Sequence, residues 1–260
     1  MKKIYLLLLL MLGWQFLFAQ SEAETFKTDK LKAKYLLSKE FDKQFLLTDF
    51  TPLWTYTDNQ NVYGFIGDNY QRIRIKFISV TKNKTQNDTY DVLGKSMVKN
   101  NIEAFSGTLH ITNIRKTKET SFGVDNEYKN KGIKGQYVLL GNYMFYENKN
   151  GKHSGIFIGV FQSDFYLDKQ GKIHYDNIDM EADGYANNQF VGKWAPYGAN
   201  VSKRCNWGDY RIPNSGNLDG GAGEFSPTKG IGWETITERW STDKKKQAHA
   251  IATEKTKWWE

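Results

Sequence analysis

Short segments of this chain alternate strictly between apolar and polar residues. Residues 71–78 read Gln-Arg-Ile-Arg-Ile-Lys-Phe-Ile. A period of two places successive side chains on opposite faces of a strand. One face carries Ile73, Ile75 and Phe77, and the other carries Arg72, Arg74 and Lys76. The segment therefore predicts a half-buried strand, whose basic side chains are exposed to solvent or follow phosphate groups.

Similar segments recur along the chain, with turn-forming residues between them. They include residues 105–111, 137–146 and 156–161, and a further pair, 165–167 and 173–175, flanks a Gly-containing turn at residues 168–171. About eight to ten strands are expected between Phe50 and Trp194, with no second helix. The predicted fold class is all-β and mainly antiparallel, an up-and-down β-barrel or a sandwich.

The N-terminal part of the chain follows a different period. Residues 29–47 carry apolar side chains at steps of about three to five, and Thr28-Asp29 can cap a helix. The apolar residues are Leu31, Tyr35, Leu36, Phe41, Phe45 and Leu46. We expect one amphipathic helix here, in a helical segment over residues 21–49 that precedes a single β domain over residues 50–260.

Residues 1–20 are typical of a secretory signal peptide. Met1-Lys2-Lys3 is a basic start, and the apolar run from Ile4 to Phe18 has 15 positions. A transmembrane helix needs about 20. Cleavage is expected after Ala19 or Gln20, and the closing residues resemble signal peptides of Bacteroidetes. The protein is therefore expected to be exported to the periplasm or the extracellular space, with no membrane span in the mature chain.

Charge, cysteine and histidine content exclude several classes of protein. Lys and Arg number 36 against 29 Asp and Glu, and the positive charges are scattered rather than gathered in a stripe. No nucleic-acid partner is therefore expected. The single cysteine, Cys205, cannot form an intramolecular disulfide or a thiolate zinc site. The four histidines lie far apart in the sequence, so no metal or other cofactor is expected.

Tryptophan is concentrated near the C-terminus. Six of the eight tryptophans lie in residues 194–260, and residues 205–225 are also rich in Gly, Asn and Asp, which predicts an ordered loop rather than a strand. The loop either binds a sugar through its rings and polar groups or folds over one barrel end with Trp as core. The second interpretation is preferred because buried Trp is common. Under the first, the ligand-binding residues are Trp194, Trp207, Asp209, Tyr210, Arg211, Asn214, Glu224 and Trp233.

Residues 179–184, Asp-Met-Glu-Ala-Asp-Gly, match the start of a calcium-binding loop. Phe190 occupies the twelfth position, where a bidentate Glu is needed. The alternation of Ile178, Met180 and Ala182 favours a strand with an acidic outer face instead.

Residues 190–194, Phe-Val-Gly-Lys-Trp, resemble the Gly-x-Trp motif of lipocalin-like and calycin barrels. The resemblance implies a barrel in which the Trp packs across one end. In that family the motif opens the barrel near its N-terminus, whereas only 66 residues follow Trp194 here. Residues 190–225 are also similar to a segment of uncharacterised secreted Bacteroidetes proteins, a family that implies no activity for this chain.

Three functions are compatible with the sequence. The preferred one is an exported binding or interaction protein, whose ligand is a glycan or a small apolar molecule. The second is a secreted carbohydrate-active hydrolase that uses carboxylates in residues 209–224, for which Asp209, Asp219 and Glu224 are the candidates. The third is a structural protein of the cell envelope. The sequence cannot place these carboxylates accurately enough to show whether two of them lie at a catalytic separation, and enzymatic activity is not the preferred interpretation.

Overall fold

The computed structural model describes residues 21–221 and 223–260. Its helices are α1 (Glu22–Leu31), α2 (Thr51–Thr55), α3 (Glu234–Glu238) and α4 (Lys244–Glu254). Its strands are β1 (Leu36–Glu40), β2 (Val62–Ile66), β3 (Gln71–Lys82), β4 (Thr89–Val98), β5 (Asn101–Thr117), β6 (Gly135–Glu147), β7 (Gly155–Leu167), β8 (Ile173–Tyr175), β9 (Asn187–Pro196) and β10 (Lys203–Asp209). The expected signal peptide lies outside the described residues and stays a prediction.

Within the described residues, eight antiparallel strands close into an up-and-down barrel. The order around the barrel is β2-β3-β4-β5-β6-β7-β9-β10, and β10 pairs with β2 through a register that runs from Cys205↔Ile66 to Asp209↔Val62. Outside this cylinder, β1 pairs with β5 and β8 pairs with β7. Closure gives each barrel strand two neighbours, which removes the exposed sheet edges of an open sandwich. The predicted fold class is therefore confirmed, in its barrel form.

The predicted strand segments lie inside these elements. Residues 71–78 belong to β3, 105–111 to β5, 137–146 to β6 and 156–161 to β7. The predicted hairpin also forms, with Phe165 opposite Tyr175 and Leu167 opposite Ile173. The period of two therefore located the strands correctly.

Aromatic side chains fill the barrel. Trp207 stacks on Phe190 with ring centroids 4.7 Å apart, and Tyr143 packs edge-on against both rings. Gly159 and Gly192 lie opposite each other in neighbouring strands. A β-carbon at Gly192 would lie 2.5 Å from the Tyr143 hydroxyl oxygen, so only glycine leaves room for this ring.

The prediction of one amphipathic helix over residues 29–47 is wrong. The helix α1 lies earlier and ends at Leu31, residues 36–40 form β1, and Asp42–Phe45 is a 3-10 helix. The apolar residues of this stretch contact different surfaces: Leu36 packs outside the barrel on β6, whereas Phe45 enters the barrel core. The apolar residues at steps of three to five therefore pack at two separate sites and do not form one face of a helix. A second short helix, α2, was also not predicted.

The C-terminal segment covers the outer face of β2 and β3. Tyr63 and Phe65 of β2 form a second apolar cluster with residues that include Phe225 and Trp233. Arg72 and Arg74 are buried rather than exposed or phosphate-binding, because Glu254 of α4 packs on them and forms ion pairs at 2.6 and 2.5 Å. The prediction that the basic side chains of β3 are exposed to solvent is therefore wrong for these two residues.

Two other local predictions fail. Residues 205–209 belong to β10, so the predicted loop over 205–225 begins only after Asp209. Residues 179–184 form turns and not the preferred strand, and Asp179 accepts a hydrogen bond from the Ser121 hydroxyl at 2.7 Å.

None of the helices within residues 21–221 and 223–260 has both the length and the apolar character that a transmembrane span requires.

Candidate functional site: the open end of the barrel

The two ends of the barrel differ. Residues 41–58, which we call the plug, close the end where β3 finishes and β4 begins, and Phe45, Phe50 and Trp54 insert from it into the main core. Trp54 donates its indole N–H to the Ser163 hydroxyl at 2.9 Å. The plug is thus fixed by both apolar packing and hydrogen bonds.

Asp209, a predicted site residue, anchors the plug from the barrel wall. Its Oδ2 accepts hydrogen bonds from the Thr57 hydroxyl at 2.7 Å, the Asn188 amide at 2.7 Å and the Tyr175 hydroxyl at 3.0 Å. The Asn188 amide also donates to the Leu53 carbonyl at 2.8 Å. Burial raises the pKa of Asp209 to about 7, although these hydrogen bonds favour the ionised form. A cavity of about 40 Å³ beside Asp209 has room for water rather than for a ligand.

The opposite end is a cavity of about 830 Å³, which we call the mouth. It is bordered by the turns that connect β2 to β3, β4 to β5, β6 to β7 and β9 to β10. Ile73, Phe157 and Trp194 form its apolar floor, while Ser96 and Glu147 add polar groups. Its volume lies in the range of pockets that hold small molecules, and barrel mouths are a preferred position for such pockets.

Glu147 is the central polar group of the mouth. It is 5% exposed, and its carboxylate accepts hydrogen bonds from the Ser96 hydroxyl at 2.6 Å, the Gly155 backbone N–H at 2.8 Å and the Trp194 indole N–H at 2.9 Å. Burial raises the pKa of Glu147, while these donors oppose the increase. The result is a fixed acidic group beside the apolar floor of the mouth.

Trp194 connects the floor of the mouth to its rim. Its indole N–H is held by Glu147, and the Lys203 ammonium lies 5.8 Å from the ring centroid, within cation–π range. Of the eight predicted ligand-binding residues, Trp194 is the one that lines this cavity.

The rim of the mouth carries mostly basic side chains. Lys99, His153, Lys203 and Arg204 line it together with Asp68. Arg204 is paired with Glu22 of α1 through hydrogen bonds of 2.7 and 2.9 Å. Lys99 and Lys203 form no ion pair with any residue in the described part of the chain. The mouth therefore presents two lysines above an apolar floor.

The other predicted residues lie elsewhere. Trp207 is core, as expected, but it belongs to β10 and not to a loop over a barrel end. Trp233 is buried where the C-terminal segment packs on the outer face of β2, and its indole N–H donates to the Tyr70 carbonyl at 2.8 Å. Asn214 is exposed, and its backbone carbonyl accepts from Arg204 at 3.1 Å.

Three predicted residues meet in a separate surface groove of about 460 Å³. We call it the outer groove; it is lined by Tyr63, Tyr185, Tyr210, Arg211, Glu224 and Arg239, among others. The structure thus divides the eight predicted residues among the core, the mouth, the outer groove and the surface.

The carboxylates proposed for a hydrolase lie in three different environments. Asp209 faces the barrel interior, Asp219 is paired with Arg211, and Glu224 is exposed in the outer groove. These side chains do not flank a common cleft, as a glycosidase pair must.

The alternation of β6 indicates the position of Glu147, which was not among the predicted site residues. Tyr143, Phe145 and Glu147 follow each other at a period of two, and all three are buried. A carboxylate that continues the inward set of a strand is expected to point into the barrel. Ser96 and Phe157 carried no comparable signal, because their meeting with Glu147 depends on how the strands close.

Within residues 21–221 and 223–260, no group of three or more His, Cys, Asp or Glu side chains is arranged to hold a metal ion. Cys205 is buried in the core, and burial raises the pKa of its thiol.

No family model, curated protein or solved structure matches this chain significantly. The resemblance of residues 190–194 to lipocalin-like barrels therefore stays a prediction.

Proposed function

We propose that the protein is an exported binding protein that holds a small, partly apolar molecule in the mouth of its barrel. The observation that carries this proposal is the cavity of about 830 Å³, which combines an apolar floor with the buried carboxylate of Glu147. Few precisely placed polar groups in an apolar concavity are the usual composition of ligand sites. The character of residues 1–20 supports the export part of the proposal.

The rim indicates the polar part of the ligand. Lys99 and Lys203 can pair with an acidic group at the entrance, while the apolar body of the ligand packs on Phe157 and Trp194. A ligand hydroxyl or N–H can donate to Glu147. The best match is a small amphipathic acid, such as an aromatic or short aliphatic carboxylate.

The test uses 1-anilinonaphthalene-8-sulfonate, an aromatic anion that fluoresces when bound. Val98 lines the mouth and packs against the core, so Val98→Trp places an indole in the cavity. We expect Val98→Trp to weaken probe binding by at least about tenfold, or about 1.4 kcal/mol. Ile102 lies on the same hairpin but is 43% exposed and outside the cavity, so Ile102→Trp is the matched control and should bind like the wild type.

The rim is tested with a second, neutral probe. Replacement of Lys99 and Lys203 by Met should weaken binding of the sulfonate by roughly fivefold, because an exposed charge pair contributes up to about 1 kcal/mol. Binding of the uncharged analogue N-phenyl-1-naphthylamine should not change. Near-UV circular dichroism checks that each variant is folded. Equal binding by Val98→Trp and wild type, or no binding by the wild type, would exclude the mouth as the site.

A further inference from the structure

We propose that the outer groove is a second binding site, which takes a neutral oligosaccharide. The groove lies on the outside of the barrel between residues 180–185 and the loop that follows β10. It shares no lining residue with the mouth. The proposal is therefore independent of the function proposed for the mouth.

Aromatic rings form the floor and one wall of the groove. Tyr63 is stacked on Phe225 with centroids 4.7 Å apart, and Tyr185 and Tyr210 meet edge to face at 5.2 Å. Tyr63 is buried, whereas Tyr185 and Tyr210 are partly exposed. Rings that combine an apolar face with a polar hydroxyl suit a sugar, whose ring has apolar faces and a polar edge.

The backbone holds Tyr210 in place. Its φ is 64°, in the left-handed region that non-glycine residues rarely occupy, and its N–H donates to the Asn61 carbonyl at 2.7 Å. Its hydroxyl donates to the Met180 sulfur at 3.5 Å. Such strain is maintained only where the surroundings enforce it, and it is concentrated at binding sites.

Arg239 provides donors that the protein does not use. Its Nη2 donates to the Tyr63 hydroxyl at 3.0 Å, and its guanidinium lies 5.9 Å from the centroid of that ring. Its Nε is buried and has no hydrogen-bond partner, and Arg239 forms no ion pair with any described residue. Because this Nε is enclosed by protein, the donors that a bound hydroxyl oxygen can reach are the Nη groups of Arg239, which lines the groove.

The charges of the groove disfavour an acidic ligand. Glu181, Asp183 and Glu224 are exposed along it and accept hydrogen bonds, while Arg239 donates them. Arg211 is already engaged by Asp219, so it supports the loop instead. Three carboxylates repel an acidic sugar, whereas hydroxyl groups can both donate to the carboxylates and accept from Arg239.

The test is isothermal titration calorimetry of the full mature chain with neutral hexasaccharides of glucose, mannose and xylose, and with a galacturonate hexamer. We expect at least one neutral oligosaccharide to bind more tightly than the acidic one. Tyr210→Ala should weaken that binding by roughly tenfold, because it removes the stacking ring. Arg239→Lys keeps the charge but loses the planar fork, and should weaken it by a similar factor.

Two control variants separate this site from others. Tyr146 is 44% exposed and lies outside the groove, so Tyr146→Ala should bind like the wild type. Val98→Trp, which fills the mouth, should also retain oligosaccharide binding. The proposal is overturned if the wild type binds no neutral oligosaccharide, if Tyr210→Ala binds as tightly as the wild type, or if Val98→Trp abolishes binding.

Discussion

Asp209 joins the plug to the barrel wall, although a carboxylate is an expensive group to bury. Its Oδ2 accepts three hydrogen bonds, one of them from Thr57 in the plug, and the residue is 5% exposed. Burial raises its pKa to about 7, from an ordinary value of 3.8. A group whose pKa is raised by folding favours the folded state when protonated, so its contribution is lost as the pH rises from about 4 to 7.

Replacement of this acid should therefore change how stability depends on pH. In Asp209→Asn, the new side chain keeps an oxygen for the three donors and cannot ionise. The wild type should lose stability between pH 4 and pH 8 as Asp209 ionises, whereas Asp209→Asn should not. We therefore expect the free energy of unfolding of Asp209→Asn minus that of the wild type to increase over this interval by up to about 4 kcal/mol, since one pKa unit corresponds to about 1.4 kcal/mol. Urea unfolding at each pH measures this difference. Asp29→Asn, in the exposed part of α1, is the control, and pH profiles that run parallel for Asp209→Asn and wild type would contradict the assignment.

Single positions differ in how far the sequence could reveal them. The inward position of Glu147 was not predicted, although the alternation of β6 indicates it, and burial of Trp in the core was the preferred interpretation for Trp207. The role of Asp209 could not be predicted in the same way. It depends on Thr57, Tyr175 and Asn188, which come from separate parts of the chain and meet only when the barrel closes.

The helix α4 is attached to the barrel through one buried charge cluster. Glu254 receives hydrogen bonds from Arg72 at 2.8 and 2.6 Å and from Arg74 at 2.5 Å, and Thr235 of α3 also donates to it. Burial alone would raise the pKa of Glu254, but Arg72 and Arg74 hold it at about 2. Two buried guanidinium groups therefore depend on this carboxylate for their charge compensation.

Removal of that carboxylate should be far more costly than removal of an exposed one. Glu254→Gln leaves both arginines buried without a counter-charge, and we expect a loss of about 3 to 5 kcal/mol in the free energy of unfolding at pH 7. Glu260→Gln breaks the exposed ion pair with Lys257 on the same terminal segment and should cost less than about 1 kcal/mol. Chemical denaturation of both variants measures the contrast, and equal losses would show that the cluster does not anchor α4.

Strands that keep one face in the barrel core were predicted well from the sequence. Segments that pack first on one surface and then on another were not. The strands β6 and β7 keep one face inside the barrel throughout, and β3 and β5 do so on either side of one bulge each, so a period of two is visible in the sequence. Residues 29–47 instead pass from the outside of β6 to the barrel end, so their apolar spacing resembled that of a helix. The burial of Arg72 was likewise invisible, because the covering residue, Glu254, is far away in sequence.

Closure of the barrel gives the molecule a plugged end and an open end. The plug is held by buried polar groups, whereas the mouth is bordered by turns and keeps its cavity. The connectivity of the barrel was predictable, because consecutive hairpins in an all-β chain favour an up-and-down arrangement. Which end would be closed was not predictable, because the plug was divided between the predicted helix, which included residues 41–47, and the predicted β domain, which began at Phe50. One end is therefore closed by packed side chains, whereas the opposite end keeps a cavity, which is the site of our proposed function.

The ionisable groups of the whole barrel predict an acidic optimum of stability. Burial raises the pKa of Asp164 to about 7, of Asp176 to about 6 and of Asp209 to about 7. Each of these acids favours the folded state at low pH, and that contribution is lost as the pH rises towards 7. Glu254, whose pKa is lowered to about 2, acts in the opposite direction: its contribution is complete above its ordinary value of 4.5 and is lost as the pH falls towards 2.

The two trends balance at about pH 4, below the usual maximum for proteins, which extends to about pH 8. We expect the midpoint of thermal unfolding, followed by circular dichroism, to be several degrees higher at pH 5 than at pH 8. Asp164→Asn and Asp209→Asn should each reduce that difference, because each removes one of the acids whose ionisation penalises the fold. A midpoint that is highest at pH 8 in the wild type would show that these carboxylates are ionised in the folded protein at little cost.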